Sequence, residues 1–408
     1  MKRPLAVSCL LVVVSFVLPA AGHADTVVTG VAGQAYYKIV VPDAWNGDLV
    51  LWNHGFTLAP IGPVSDLGPL ASLQLAEGYA VAASSYRLSG WAVFKTGEDL
   101  EALYQTFAER FGAPHRVLVT GASLGGLVTA AALEEADLGN VAGALSLCGA
   151  VAGSRNWDLG IDLRLSYDVI CAGVPGASIP GGAEGLPEGS TLTTTQLALA
   201  VNACTGILSP APSAAQQARL ARLLAVTGVP RSFLLTDMGY VTFAMSDLVH
   251  DHAKLKGRVG ESNENVVYGD ADIDALIERV TPHPGAAHRL AENYTPTGDV
   301  KDARIVALHT DKDGLVIVEN ESAYASVVPA ANLTTAVAVE AAPTHCGFTS
   351  AEIVAGWESL RGWVAGGPQP TAASIQGVCT AVAPSVGGPC RINPSFVIPE
   401  LDTRLRPR

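Results

Sequence analysis

One short stretch narrows the folding options of this 408-residue chain more than any other. The apolar, β-branched run at 116–120 (RVLVT) enters Gly121-Ala122-Ser123-Leu124-Gly125-Gly126 with no spacer, and a helical pattern at 124–136 leaves it. A strand that becomes a helix within so few residues must turn sharply. Glycines on both sides of Ser123 let neighbouring backbone approach without Cβ clashes. The turn lifts the serine hydroxyl clear of the strand end, and the following helix aims its N-terminal N–H groups and the positive end of its dipole at the same spot. A bare G-x-S-x-G is common by chance, and its plain reading is a glycine-rich turn with a serine N-cap. The strand before it and the helix after it favour the stronger reading, an exposed nucleophile.

The rest of the chain fits a layered α/β arrangement around that turn. Strand patterns at 26–42, 49–52, 80–84 and 141–147 alternate with helical spacing at 98–111 and 124–136. The alternation stops near Gly149 and returns at 304–308, followed by a helix at 319–327, a strand at 334–339 and a helix at 350–364. Between them lies an Ala-rich stretch with predicted helices at 195–207, 214–226 and 233–255, broken by Gly/Pro loops such as 178–190. The prediction is an α/β fold with a mostly parallel central sheet flanked by helices and a largely helical lid or cap insertion. Residues 25–150 and 301–367 form the two parts of the core, 151–300 the insertion, and 368–408 a Pro/Gly-rich tail along the surface.

A serine hydroxyl is a weak nucleophile and needs a base, which in turn needs an orienting acid. With the order Ser, acid, His expected after such a turn, His345 in Thr344-His345-Cys346-Gly347-Phe348 is the candidate base, because it follows a strand and precedes a helix. His250 and His252 fall on or near a predicted helix, His283 and His288 in the insertion, and His309 too early relative to the acid. Asp313 in Thr310-Asp311-Lys312-Asp313-Gly314 is the favoured acid and Asp311 the alternative. The oxyanion of acyl transfer needs two preorganised N–H donors. Leu124, directly after the serine, supplies one. Phe56, in the loop His54-Gly55-Phe56 after the 49–52 strand, is the candidate for the second, with His54 a loop-shaping hydrogen bonder.

Together these residues resemble the α/β-hydrolases. The run from Val41-Pro42 through Trp45-Asn46-Gly47 to His54-Gly55, the Gly121 turn, Cys148-Gly149 with Asn156-Trp157-Asp158, and His345-Cys346-Gly347-Phe348 are similar to secreted bacterial members, some of which approach prolyl oligopeptidase catalytic domains or esterases. The resemblance implies hydrolysis by a Ser-Asp-His triad and names no substrate. Cys148 near the turn and Cys346 beside the base resemble the tannase-type disulfide that ties those two loops together. No propeller-like region accompanies the motifs, which weakens a peptidase reading. The expected activity is ester hydrolysis without a cofactor or metal, on a small-molecule or polymeric ester. A peptidase or amidase using the same residues, and a non-catalytic binding protein on this scaffold, are the competitors.

Charge and the first residues bear on the setting. Lys2-Arg3, an apolar 5–18 stretch, Pro19, and Gly22 and Ala24 before Asp25 predict a signal peptide over 1–24 and a secreted or periplasmic product. Its removal takes the formal net charge from −13 to about −15. Such acidity argues against a nucleic-acid partner, and no later segment is apolar for long enough to span a membrane. Oligomeric state is left open. Without Cys9, six cysteines remain, an even number that suits disulfides in an oxidising compartment. Cys379 and Cys390 flank a Pro/Gly-rich turn and are the first choice for a local bridge. Cys171 and Cys204 share the middle segment and can pair, which would leave Cys148 with Cys346. Asp270, Asp272 and Asp274 alternate like a calcium loop, but Ala275 and Thr281 stand where it needs Gly and Glu, so helix capping is expected instead. His250-Asp251-His252 reads as a solvated helix face. Asn293-Tyr294-Thr295 and Asn332-Leu333-Thr334 match glycosylation acceptors. Trp91, Phe94, Trp157, Phe243 and Met245 are core residues by default and pocket residues by chance of placement.

Overall fold

A computed structural model describes residues 25–292 and 295–408. The proposed signal peptide, with Cys9, and the 293–294 positions of one glycosylation motif lie outside the described residues. Eight strands form one sheet: β1 (Thr26–Ala32), β2 (Ala35–Val41), β3 (Leu49–Asn53), β4 (Ala80–Ser84), β5 (Val117–Ala122), β6 (Val141–Leu147), β7 (Arg304–Thr310) and β8 (Leu333–Ala338). Their spatial order is β1-β2-β4-β3-β5-β6-β7-β8. β1 and β2, and β2 and β4, pair antiparallel, and every later neighbour is parallel. This is the α/β-hydrolase fold.

The parallel strands are buried on both faces, as sheets covered by crossover helices are. Alternation along β3 shows how the two cores arise. Leu49 and Leu51 pack with Leu100, Leu103 and Phe107 of α2 (Val93–Phe111, after the short α1, Ala71–Ala76) and with Leu127 of α3 (Leu124–Glu135). Val50 and Trp52 point the other way, into a layer completed by Trp357 and Leu360 of α12 (Ser350–Val364) and Ile375 of α13 (Ala372–Val386). Trp357 and Trp363 are therefore packing residues. α2 starts earlier than its polar face suggests, because Val93, Phe94 and Thr96 are already buried.

Between β6 and β7 the described residues hold helices and no strand: α4 (Asn156–Ile170), α5 (Thr194–Thr205), α6 (Ala214–Thr227), α7 (Leu234–Gly239), α8 (Met245–His250), α9 (Ala271–Leu276) and α10 (Pro284–Glu292). Ile161, Leu223, Leu234 and Met238 give this segment its own apolar core. Ser213 and Thr193 cap α6 and α5 in reciprocal boxes with Gln216 and Gln196. The helix expected over 233–255 is instead α7, a π turn (Tyr240–Ala244) and α8, ending at His250. Past that point the chain turns so that Lys254 can bury its ammonium against Asp247 and Ser89 O. Asp270 caps α9 and also takes Arg222.

After β7 come α11 (Asn320–Val327), β8 and α12. The tail departs from a surface-lying coil. α13 is a 15-residue helix, capped by Thr371 and Ser374, that buries Ile375 and Cys379. The Gly/Pro-rich flanks hid an apolar face, and Pro384 falls in the last turn, where its missing N–H leaves a carbonyl of the preceding turn without its helical donor. The six cysteines described lie in three disulfides, Cys148–Cys346, Cys171–Cys204 and Cys379–Cys390. Among the described residues no helix is long and apolar enough to cross a membrane. Asn332 spends its side-chain amide on Lys301 O and Ala303 O.

Candidate active site

The carboxyl ends of β3, β5, β7 and β8 lie along one edge of the sheet, the edge where ligands of parallel α/β sheets bind. Ser123 joins β5 to α3 with φ 59° and ψ −125°, a conformation that costs a non-glycine residue roughly 1–3 kcal/mol. Its carbonyl accepts from Gly126 N at 2.9 Å and Ala150 N at 3.2 Å, and its own N–H donates to Leu147 O at 2.9 Å, so the strained turn is held from three sides. The flanking glycines are steric necessities. A Cβ at Gly121 would meet Gly125 O, and one at Gly125 would run into Asn53 O.

The loop after β8 brings His345 to this turn. Its Nε2 lies 2.9 Å from Ser123 Oγ, and its Nδ1 lies 2.9 Å from both carboxylate oxygens of Asp313. With Nδ1–H donated to the carboxylate, Nε2 is the acceptor facing the serine hydroxyl. Asp313 sits in the loop after β7. Its Oδ1 accepts from Leu315 N and Val316 N at 3.0 and 2.9 Å, and its Oδ2 from Cys346 N at 3.0 Å. Burial pushes the Asp313 carboxyl up, but the hydrogen bond from His345, the charges of His345 and His309, and the Cys346 N–H outweigh it and hold the group below its ordinary value. Asp311 faces away and accepts the Glu340 N–H at 2.7 Å.

The Cys148–Cys346 disulfide joins the end of β6 to the residue after His345, with Cα atoms 5.3 Å apart. Both cysteines have positive φ, 44° and 52°. The Asp313 carboxylate lies beside these sulfurs. The sulfurs are bonded to each other and the carboxylate is occupied by His345 and three N–H groups, so the cluster is not a metal-binding set.

Gly55 crosses directly over the serine: a Cβ there would touch Ser123 Cβ at 3.4 Å. Phe56 and Leu124 line the same cavity as Ser123. His54 lies outside the Ser123–His345–Asp313 chain. Its ring stacks on Tyr86 at 4.2 Å and its Nδ1 lies 2.7 Å from Gly55 O, so it shapes the loop. His309 is fully buried behind the Asp313 loop, with Nδ1 3.0 Å from Glu321 Oε1 and Nε2 2.8 Å from Val316 O. Its sequence position excluded it as a base and gave no sign of this role.

The cavity, about 120 Å3, is lined by Ser123 and is mostly apolar. Trp91 and Trp157 meet edge to face in its wall, and Phe56 tilts against Tyr240. Phe94 and Met245 belong to the core rather than to this wall. The helical segment supplies much of the lining, including Trp157, Leu163, Thr227, Asp237 and Tyr240, and Arg404 arrives from the end of the chain. Neither Asp237 nor Arg404 carries a sequence signal.

No family model and no curated protein matches the sequence. Solved structures do. An esterase of Pyrococcus furiosus is 14% identical, with 84% of this chain and 90% of that chain covered at a TM-score of 0.39. Candida antarctica lipase A is 10% identical, with 91% and 80% covered at 0.44. A puromycin-hydrolyzing peptidase of Mycobacterium tuberculosis is 14% identical at 0.43, with 86% of this chain covered and about two fifths, 41%, of the peptidase. The strand order and connectivity define the fold without them.

Proposed function

We propose that this chain is a serine hydrolase that cleaves carboxylic esters, with Ser123 as nucleophile, His345 as base and Asp313 as the acid that orients it. One observation carries the reading: an unbroken hydrogen-bonded line from Ser123 Oγ through both His345 nitrogens to Asp313, built on a strained strand–helix turn. Ser123 Oγ attacks the ester carbonyl while its proton passes to His345 Nε2. Asp313 stabilises the imidazolium, and the N–H groups of Leu124 and Phe56 receive the oxyanion. Collapse expels the alcohol, which takes the proton from His345. Water then attacks the acyl-enzyme, gives its proton to His345, and the acid leaves with Ser123 restored. The step needs no cofactor.

The apolar cavity favours a substrate with an apolar body. The helical segment 151–300 serves as a lid that shields the acyl-enzyme from bulk water. Export to an oxidising compartment is part of the proposal, supported by the leader-like 1–24 sequence and by three disulfides. A fluorophosphonate probe should label Ser123 in the folded protein, and Ser123→Ala should lose both labelling and at least about 10^3-fold of kcat on p-nitrophenyl acyl esters. Retained turnover by the variant would discard the assignment. Parallel aminoacyl anilides report on amide cleavage, and faster turnover of anilides than esters would move the protein to the peptidases.

A further inference from the structure

One carboxyl and one guanidinium stand in the mostly apolar wall of the cavity lined by Ser123. Asp237, on α7, is 9% exposed, and its Oδ1 is buried with no hydrogen-bond partner. Arg404 reaches the same wall from the 401–408 segment. Its Nη2 donates to Gly228 O at 3.0 Å, and the guanidinium rests on the Gly228 Cα, where any Cβ would collide with it. Arg406 and Arg408 pair with Asp158 and Asp162. Arg404 has no carboxylate within 4.0 Å among the described residues. The buried Asp237 oxygen is costly to leave without a partner, and the half-buried Arg404 guanidinium stands in the same cavity with no carboxylate bound to it.

The placement of Arg404 is built, not incidental. Leu401 and Leu405 flank it and are buried against Ala152 and Ile317. Arg406 donates to Val226 O and lies over the Tyr268 ring, and Arg408 donates to Asp158 O and Ser262 O. The segment is thus fixed on both sides of residue 404.

We infer that Asp237 and Arg404 form a subsite for a carboxylate on the substrate, so that the esters this site takes are half-esters of dicarboxylic acids, with an apolar chain between the scissile bond and the free acid. The inference rests on the serine-hydrolase reading and deepens it. Burial, with the charge of Asp313 beyond, holds the Asp237 carboxyl well above its ordinary value against the pull of Arg404, which favours its neutral, O–H-bearing form. Arg404 supplies the positive charge. A carboxylate between them accepts from both, a charge-assisted arrangement that neither a methyl group nor an ammonium can copy.

The test compares p-nitrophenyl esters matched in length but ending in methyl or carboxylate: butyrate against succinate, hexanoate against adipate, octanoate against suberate. At one length at least, wild type should favour the carboxylate-ended ester in kcat/KM by roughly ten- to a hundredfold, the range of one charged hydrogen bond. Arg404→Gln, which keeps a donor for Gly228, should bring that ratio close to one. Arg404→Lys should restore part of it, and Asp237→Asn, a neutral donor of the same shape, should keep most of it. Preference for methyl at every length overturns the subsite. So does a ratio that Arg404→Gln leaves unmoved, or a preference for p-nitrophenyl aminohexanoate that Asp237→Asn removes. Fluorophosphonate labelling separates the two levels. Labelling of Ser123 without carboxylate preference sinks the subsite alone. If Ser123 neither labels nor turns over any ester, the hydrolase reading fails. Calorimetry on wild type then decides the subsite, since equal binding of adipate and hexanoate overturns it and tighter binding of adipate upholds it.

Discussion

Residue by residue, the site is a set of local conflicts settled by neighbours. Ser123 bears a backbone conformation it would not adopt freely, and Gly121 and Gly125 leave room for it. Asp313 is buried yet stays acidic because three N–H groups and an imidazole face it. His309 belongs to the same logic. Both its nitrogens face oxygens, one of Glu321 and one of Val316, and the Val316 N–H in turn holds Asp313. Burial pushes the His309 ring down, but the Glu321 hydrogen bond and charge outweigh it and raise it, which favours the cation. The His309 charge is one of the causes that hold the Asp313 carboxyl below its ordinary value. His309→Gln removes the charge behind the loop. The expected result is a fall in kcat/KM of roughly tenfold at neutral pH, with the acid limb of the pH profile moved upward. A lower melting temperature with an unmoved acid limb would mark His309 as structural only.

At the level of elements, the site is an assembly of strand ends whose loops are tied to one another. The Cys148–Cys346 bridge spans 198 residues and holds the His345 loop to the end of β6. Arg391, from the tail, clamps the same loop by donating to Gly347 O at 2.6 Å and to both oxygens of the buried Glu352 at the start of α12. In the chain-entropy account the long bridge contributes about 5 kcal/mol and the Cys379–Cys390 bridge, with a separation of 11, about 3 kcal/mol. The Cys148→Ser/Cys346→Ser double variant should therefore melt lower than the Cys379→Ser/Cys390→Ser one. It should also lose kcat more than KM, since only it frees the loop that carries His345, the proposed base. Thermal melts and ester kinetics on both double variants check this. Equal loss of kcat in the two would mean that the bridge stabilises the fold without positioning His345.

Across the whole molecule, the 401–408 segment is tied to the helical segment through a charge cluster and to the core through Leu401 and Leu405 packed with Ile317. Arg408 pairs with Asp158 and Asp162, and the buried Glu261 lies near them. Burial, helped by the Asp158 charge, pushes the Glu261 carboxyl up to about 7 from 4.5, and burial pushes Asp158 up to about 6 from 3.8. Such groups bind protons more tightly folded than unfolded. Their contribution is fully present below the unfolded values, and it is lost as pH rises through 4.5 to about 7 for Glu261 and 3.8 to about 6 for Asp158. Glu261 alone accounts for about 3 kcal/mol across its window. Melting temperature should fall between pH 5 and pH 8, and Glu261→Gln should flatten that fall and melt higher than wild type at pH 8. A variant whose pH dependence matches wild type would remove Glu261 from the account.

A meeting of Ser123, Asp313 and His345 was expected from the sequence because each lies in a loop after a predicted strand, and the structure brings the three within hydrogen-bond distance. The parallel core was readable for a related reason: alternation of strand and helix leaves few ways to cover both faces of a sheet. The turn that follows it favoured Asp313 over Asp311 in the sequence, and the structure puts His345 Nδ1 on Asp313 while Asp311 accepts the Glu340 N–H. The α13 helix needed the fold, because Gly/Pro-rich flanks masked an apolar face that has meaning only against α12. Asp237 and Arg404 had no local mark at all. One sits on a short helix and the other in an Arg-rich tail, and only the packing of distant segments decides that both line the wall of one cavity. Local spacing determines which residues can turn, pair or cap. Which polar side chains share a dry wall is set by long-range burial, and that is a property of the folded chain.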